Sequence, residues 1–253
     1  MEAPIILIVI FAVIVIIILF NSFTKKAIVK RKLRKTPSKE IKDFRNGDVA
    51  KIVGKVEFAK KPLIAPLSGR ECTYYNILVE KQVSNGKSSS WKKIIKEEIS
   101  QDFIIREKDK IALIDTQNVK SYLVPDKKFS SGAFNDATPN LESYLHKHGH
   151  ESTGLLGFNK SIRYKEGVLE KGETVAVVGT GKWTETSEIF PNERILKVIS
   201  QPEKPVFLSD DPSTLEFVER KQEDILSSHS FQRPEKKSKV VEEKKRRRYN
   251  KSY

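Results

Sequence analysis

Residues 5–20 form an unbroken apolar run of sixteen: eight Ile, three Val, two Leu, two Phe and Ala12. No other feature of the chain restricts its architecture as much. A helix on a globular surface keeps one polar face and a half-buried strand alternates, and this run does neither. As a helix it would be about 24 Å long, and residues 4–23 would cover about 30 Å, the thickness of a bilayer's hydrocarbon core. A cleaved leader needs a basic start and a small-residue cleavage site. Here the start is Met1-Glu2-Ala3-Pro4, and the run ends in Leu19-Phe20-Asn21-Ser22-Phe23-Thr24-Lys25-Lys26. The expectation is an uncleaved single-pass anchor over residues 1–23, without a Gly-xxx-Gly pattern for pairing with another helix.

Charge placement extends this reading. The formal net charge is +14, but residues 24–35 alone hold Lys25, Lys26, Lys30, Arg31, Lys32, Arg34 and Lys35 with no acid. Residues 232–253 hold ten basic and three acidic residues, while residues 36–231 are almost balanced at 30 basic against 29 acidic. Cations beside a span stay in the cytoplasm, so the expectation is an outward N-terminus, a cytoplasmic domain and a location in the cell's inner membrane. The seven cations of a basic juxtamembrane stem, residues 24–45, would lie on the anionic leaflet of the bilayer and gain about 1 kcal/mol each there. The near-neutral middle argues against a nucleic-acid-binding face on the folded domain. The tail at 229–253 is low in apolar residues, reads as disordered, and could meet RNA or an acidic partner.

The middle of the chain reads as strands. Residues 49–58, 72–82, 91–99, 103–105, 111–115, 119–124, 161–170, 173–183, 193–200 and 206–208 are rich in strand formers and bounded by turn residues. Residues 127–139 read as a polar linker, 141–147 as a short helix and 213–226 as a C-terminal helix entered through Pro212. The expected fold is therefore a single N-terminal transmembrane helix plus a β-rich α+β domain over 46–228, mostly antiparallel. Gly47-Asp48-Val49-Ala50-Lys51-Ile52-Val53-Gly54 also echoes Gly172-Glu173-Thr174-Val175-Ala176-Val177-Val178-Gly179 at an offset of 125. Strands entered from a glycine turn often look alike. Two related strands of a barrel or sandwich, with glycines at bends, would give the same echo.

Ala65-Pro66-Leu67-Ser68-Gly69-Arg70-Glu71-Cys72-Thr73-Tyr74-Tyr75, followed by Val79-Glu80 and Trp91, resembles the core of the GIDE ("beside a membrane", BAM) domain. That domain belongs to the membrane-anchored mitochondrial and chloroplast ubiquitin ligases and to prokaryotic membrane proteins. Ala112-Leu113-Ile114-Asp115, then Arg163 and Glu166, the stretch Leu169-Glu170-Lys171-Gly172 through Gly179, and Val206-Phe207-Leu208-Ser209 follow in the order of that family. The resemblance covers about residues 45–225. It implies a binding or scaffold module, and by family name an E3 ubiquitin ligase-like protein acting through a separate RING or partner chain. A RING holds two zincs on about eight Cys and His ligands; this chain has one Cys and four His. Ligase activity is therefore not carried over, and a prokaryotic member without the RING fits best.

Candidate sites follow from these segments. Arg70, Glu71, Tyr74 and Tyr75 are candidates for partner binding, because loops on a rigid scaffold often carry function. Arg70 and Glu71 could equally form a structural ion pair, and strand alternation sends one tyrosine of the pair into the core. Trp91 belongs to the same aromatic group. Cys72 has no base near it in sequence that would activate a nucleophile. His146, His148 and His150 would face one side of an extended segment and could bind a metal there, but a helix ending at Gly149 would scatter them. No catalytic constellation and no cofactor is expected. The partners expected are the bilayer and an unidentified protein.

Overall fold

The computed structural model describes residues 23–130, 137–152, 160–185 and 194–216, with Ile6 and Ile10 as isolated positions. The chain divides into units at 1–218 and 219–253, and everything described lies in the first. Among the described residues no helix is long and apolar enough to cross a membrane. This corrects the expected transmembrane helix, and with it the single-pass topology and the inner-membrane location. Of the apolar run only Ile6 and Ile10 are described; the rest of the expected anchor lies outside the described residues.

The basic segment beside it is also not a separate stem. It forms helix α1 (Lys25–Lys35), started by Thr24, whose hydroxyl accepts from the Ala27 N–H at 3.2 Å. Val29 and Leu33, one turn apart, are fully buried against Ala176 and Val178, with Phe207 and Leu215 at the margin. Two such side chains contribute about 1.5–3 kcal/mol each. The helix thus belongs to the folded unit, with Lys25, Lys26, Lys30 and Lys32 reaching residues of that unit and Arg31, Arg34 and Lys35 exposed. Thr36 stops it before Pro37, where helical geometry is disfavoured.

Five strands close a barrel: β1 (Val49–Phe58), β6 (Phe103–Glu107), β7 (Lys110–Ile114), β12 (Ile195–Ile199) and β11 (Thr174–Thr184), which pairs back to β1. The contacts are antiparallel except the parallel β7–β12 pair. Ile52, Val56, Phe103, Ile105, Ile114, Val177 and Leu196 fill its interior. β13 (Val206–Ser209) and β8 (Val119–Tyr122) extend the sheet from the outer edge of β11.

The sequence echo has a geometric counterpart. β1 and β11 are its two copies, and they pair antiparallel with Ile52 opposite Val177, residues that occupy the same place in each copy. The flanking bonds repeat about that point. Gly47 donates to Gly181 O at 2.9 Å and Gly181 to Asp48 O at 2.8 Å; Gly172 donates to Val56 O at 2.8 Å and Val56 to Glu173 O at 2.9 Å. Gly47 and Gly172 both have positive φ, +88° and +89°, which favours glycine.

A second, antiparallel sheet has the order β5 (Ser89–Ser100), β4 (Tyr74–Ser84), β10 (Ile162–Leu169), β9 (Lys127–Ser130). β9 lies in the segment expected to be a linker. A small pair, β2 (Leu63–Ile64) and β3 (Glu71–Cys72), flanks it. One face of the second sheet is covered by α2 (Pro139–Lys147), whose Leu141, Tyr144 and Leu145 pack on Ile77, Val79, Ile95 and Tyr164. The final described helix, α3 (Pro212–Leu215), is shorter than expected; residues 217–226 of that expectation lie outside the described residues. Lys51, 1% exposed, donates to the Glu216 carbonyl at 2.6 Å and so satisfies the end of α3.

Candidate partner-binding site

The loop at residues 65–70 is closed by two backbone bonds: Gly69 donates to Ala65 O at 2.8 Å and Ala65 to Arg70 O at 2.9 Å. Beneath it lies Glu166 of β10, fully buried, which accepts from the Leu67 N–H at 3.0 Å. Arg70 reaches Glu170 at 2.9 Å and Asp126 at 3.2 Å, and Asp126 also accepts from the Val168 N–H at 2.9 Å. These contacts fasten the loop to the end of β10. The Arg70 guanidinium is committed to two carboxylates, so its evident role is to hold the loop.

The neighbouring candidates divide by strand alternation. Tyr74 is fully buried in the barrel core, which removes it from any partner-facing surface. Its phenol and the Ser121 hydroxyl both donate to Glu98, and their oxygens lie 2.8 Å apart. Burial opposes charge on Glu98, but Lys25 at 2.7 Å, Ser121 and Tyr74 outweigh it and hold the carboxyl below its usual range. Tyr75 points to the opposite face, half-buried, and donates to Glu97 at 3.3 Å; Tyr144 donates to the same carboxylate at 2.8 Å. Burial and the Glu97 charge push the Tyr75 phenol up to about 12. Glu71 stays exposed on β3. Trp91 lies under the Arg163 guanidinium, 4.2 Å from the ring centre.

Cys72 is fully buried. Burial, and then the Glu166 charge, push its thiol up to about 11, the opposite of what a nucleophile needs. Alkylation of the native chain by iodoacetamide should therefore run at least about a hundredfold slower than in denaturant; equal rates would show an accessible thiol and reopen transfer chemistry at this position.

The histidines do not converge. His148 caps α2, with Nδ1 at 2.8 Å from the Tyr144 carbonyl and its ring 4.4 Å from the Tyr144 ring. His146 and His150 line a different hollow, beside Lys81, Lys160 and Glu151. Among the described residues no group of three ligands could hold a metal ion.

The cations of α1 are largely engaged on one side. Lys25 pairs with Glu98, Lys30 with Asp211 at 2.9 Å, Lys26 lies over Tyr122 and Lys32 over Phe207. Arg31, Arg34 and Lys35 are exposed and, with Lys26 and Lys30, line a broad hollow of about 730 Å³.

A second set of cations was invisible in the sequence sum. Residues directly opposite in a sheet share a face, and Leu78 of β4 stands opposite Lys96 of β5 on one side and Lys165 of β10 on the other. Lys165 in turn stands opposite Lys128 of β9. One step along, Glu80 stands opposite Lys93 and Arg163. The face of the second sheet away from α2 thus carries exposed Lys93, Lys96, Lys128 and Lys165. Arg163 is neutralised by Glu80 at 2.7 Å, whereas Lys93, Lys96 and Lys165 meet no carboxylate within 4.0 Å among the described residues. Between this face and the start of α1 runs a groove of about 220 Å³, floored by Leu78, Tyr122 and Pro125.

Comparison with protein-family models, with curated proteins and with solved structures gives no match for this chain.

Proposed function

We propose that the chain is a non-catalytic binding and scaffold module of the GIDE type, and that it docks an anionic partner on the lysine-bearing face of its second sheet. The observation that carries this reading is the set Lys93, Lys96 and Lys165, exposed, unneutralised and gathered on one face around the partly buried Leu78. Like charges gathered on a rigid sheet cost repulsion that an anionic partner relieves, and they steer such a partner to that face. The GIDE-type assignment rests on the loop motif, whose Leu67, Arg70, Cys72 and Tyr74 all serve to shape this unit.

Anisotropy of labelled poly-L-glutamate at low salt tests the reading in the full chain, so that the basic tail contributes equally throughout. Reversal of Lys93, Lys96 and Lys165 to Glu should weaken binding by at least about tenfold, or 1.4 kcal/mol. Reversal of Lys55 and Lys171, exposed elsewhere on the barrel, should change it little. Equal losses in both variants would refute a localised docking face.

A further inference from the structure

We infer that the groove between the lysine face and α1 binds a small ligand carrying two phosphate groups on a compact carbon skeleton. This rests on the reading of that face as the docking surface and specifies what it takes. The groove's volume, about 220 Å³, is below the range of sites for drug-sized molecules and suits a single sugar-sized polyol. Its floor of Leu78 and Pro125 is apolar and fits a carbon skeleton, with Tyr122 beside it under Lys26. Its rims are cationic on separate sides. Lys96 and Lys165 flank Leu78 two strand spacings apart, about 9.6 Å at their backbones, with Lys93 beside the first and Lys26 of α1 on the facing rim. Separate cationic rims across an apolar floor match separate phosphates on one skeleton better than a single anion. Lysine ammonium groups are suited to phosphate oxygens as compact charges with rotatable donors.

The two carboxylates near the groove do not cancel these rims. Glu98 is held by Lys25, Tyr74 and Ser121, and Glu97 by Tyr75 and Tyr144 from the other side of the sheet. A single-stranded nucleic acid fits less well, because binding it uses open aromatic platforms. Here Trp91 is covered by Arg163 and Tyr122 by Lys26, the latter at 4.5 Å.

Such a polyol bisphosphate could be free or the headgroup of a lipid, and two arms separate the sources. The full chain is titrated calorimetrically with inositol 4,5-bisphosphate, and floated with phosphatidylcholine vesicles containing phosphatidylinositol 4,5-bisphosphate or, at matched charge, phosphatidylserine. The expected result is saturable one-site binding of the soluble ligand, weakened at least about tenfold by Lys96→Ala and by Lys165→Ala and unchanged by Lys55→Ala. Binding to the bisphosphate vesicles alone, with the same dependence on Lys96 and Lys165, assigns the headgroup as the source. Equal binding to phosphatidylserine vesicles, or binding insensitive to both lysines, overturns the inference. Lack of binding in both arms also overturns it; the docking face itself still stands if poly-L-glutamate continues to depend on the same lysines, and falls with it if that dependence is missing.

Discussion

Gly54→Ala should lower the melting temperature by about 6–12 °C, equivalent to about 3 kcal/mol in a unit of this size. A Cβ built on Gly54 would lie 2.5 Å from the Arg106 carbonyl oxygen and 2.6 Å from Ile105 Cγ2. The nearer atom is backbone, locked in the β1–β6 ladder where Lys55 pairs with Arg106, so it cannot step aside. The symmetry-related Gly179 is blocked differently: its Cβ would lie 2.5 Å from Val198 Cγ1. That obstacle is a side chain, so Val198→Ala should restore part of the stability lost by Gly179→Ala, and no second-site truncation of this kind should rescue Gly54→Ala. Gly86 at the hairpin tip, φ +84° with nothing near its Cβ, is the reference and should cost about 1 kcal/mol as alanine. If Gly54→Ala costs no more than Gly86→Ala in a thermal melt, the barrel does not close as described.

Glu98→Ala should cost about 3 kcal/mol, although Lys25→Met at the other end of the same ion pair should cost less than about 1. The asymmetry comes from what each change leaves behind. Without Glu98, the buried Tyr74 phenol and the Ser121 hydroxyl lose the acceptor they share. Without Lys25, whose side chain is 42% exposed, the carboxylate keeps both hydroxyl donors and reaches water. The same arrangement sets a pH dependence. The folded carboxyl is held below its ordinary value of 4.5, so its contribution is present above 4.5 and disappears as pH falls through the lower folded value. Chemical denaturation of both variants at neutral pH, repeated at acid pH, measures the difference. Equal costs for Glu98→Ala and Lys25→Met would contradict a network centred on the carboxylate.

Much of the strand content was legible because local chemistry wrote it. Residues 49–58 and the turn at Asn85-Gly86 need only their own patterns, and β1 and β4–β5 form there. The echo between residues 47–54 and 172–179 was legible as a repeat, but only pairing reveals that the two copies are neighbours about Ile52 and Val177. β9 escaped because Lys127-Lys128-Phe129-Ser130 is too short and polar to suggest a strand; its pairing to β10 supplies what its composition lacks. Helix α1 was masked by its charge. Its apolar stripe, Val29 and Leu33, is only two residues wide, and the seven cations around it read as a tether.

The site was less legible than the fold, for a reason of register. Arg70, Cys72 and Tyr74 stand out as a motif, and the motif's contacts are inward: to Glu170 and Asp126, to the Leu63 carbonyl, and to Glu98. The lysines that make the exposed surface come from three strands far apart in sequence. Their net charge vanished in the near balance of residues 36–231, because carboxylates such as Glu40, Asp109 and Glu173 lie elsewhere in the unit. Summed charge over a β domain says little about either face until strand pairing is known.

The docking face can be read directly by lysine acetylation footprinting of the full chain, with and without saturating poly-L-glutamate. Lys93, Lys96 and Lys165 should be protected several-fold while Lys55 and Lys171 keep their rates. Protection confined to residues 236–251, or spread evenly over both groups, would contradict a docking surface on the second sheet.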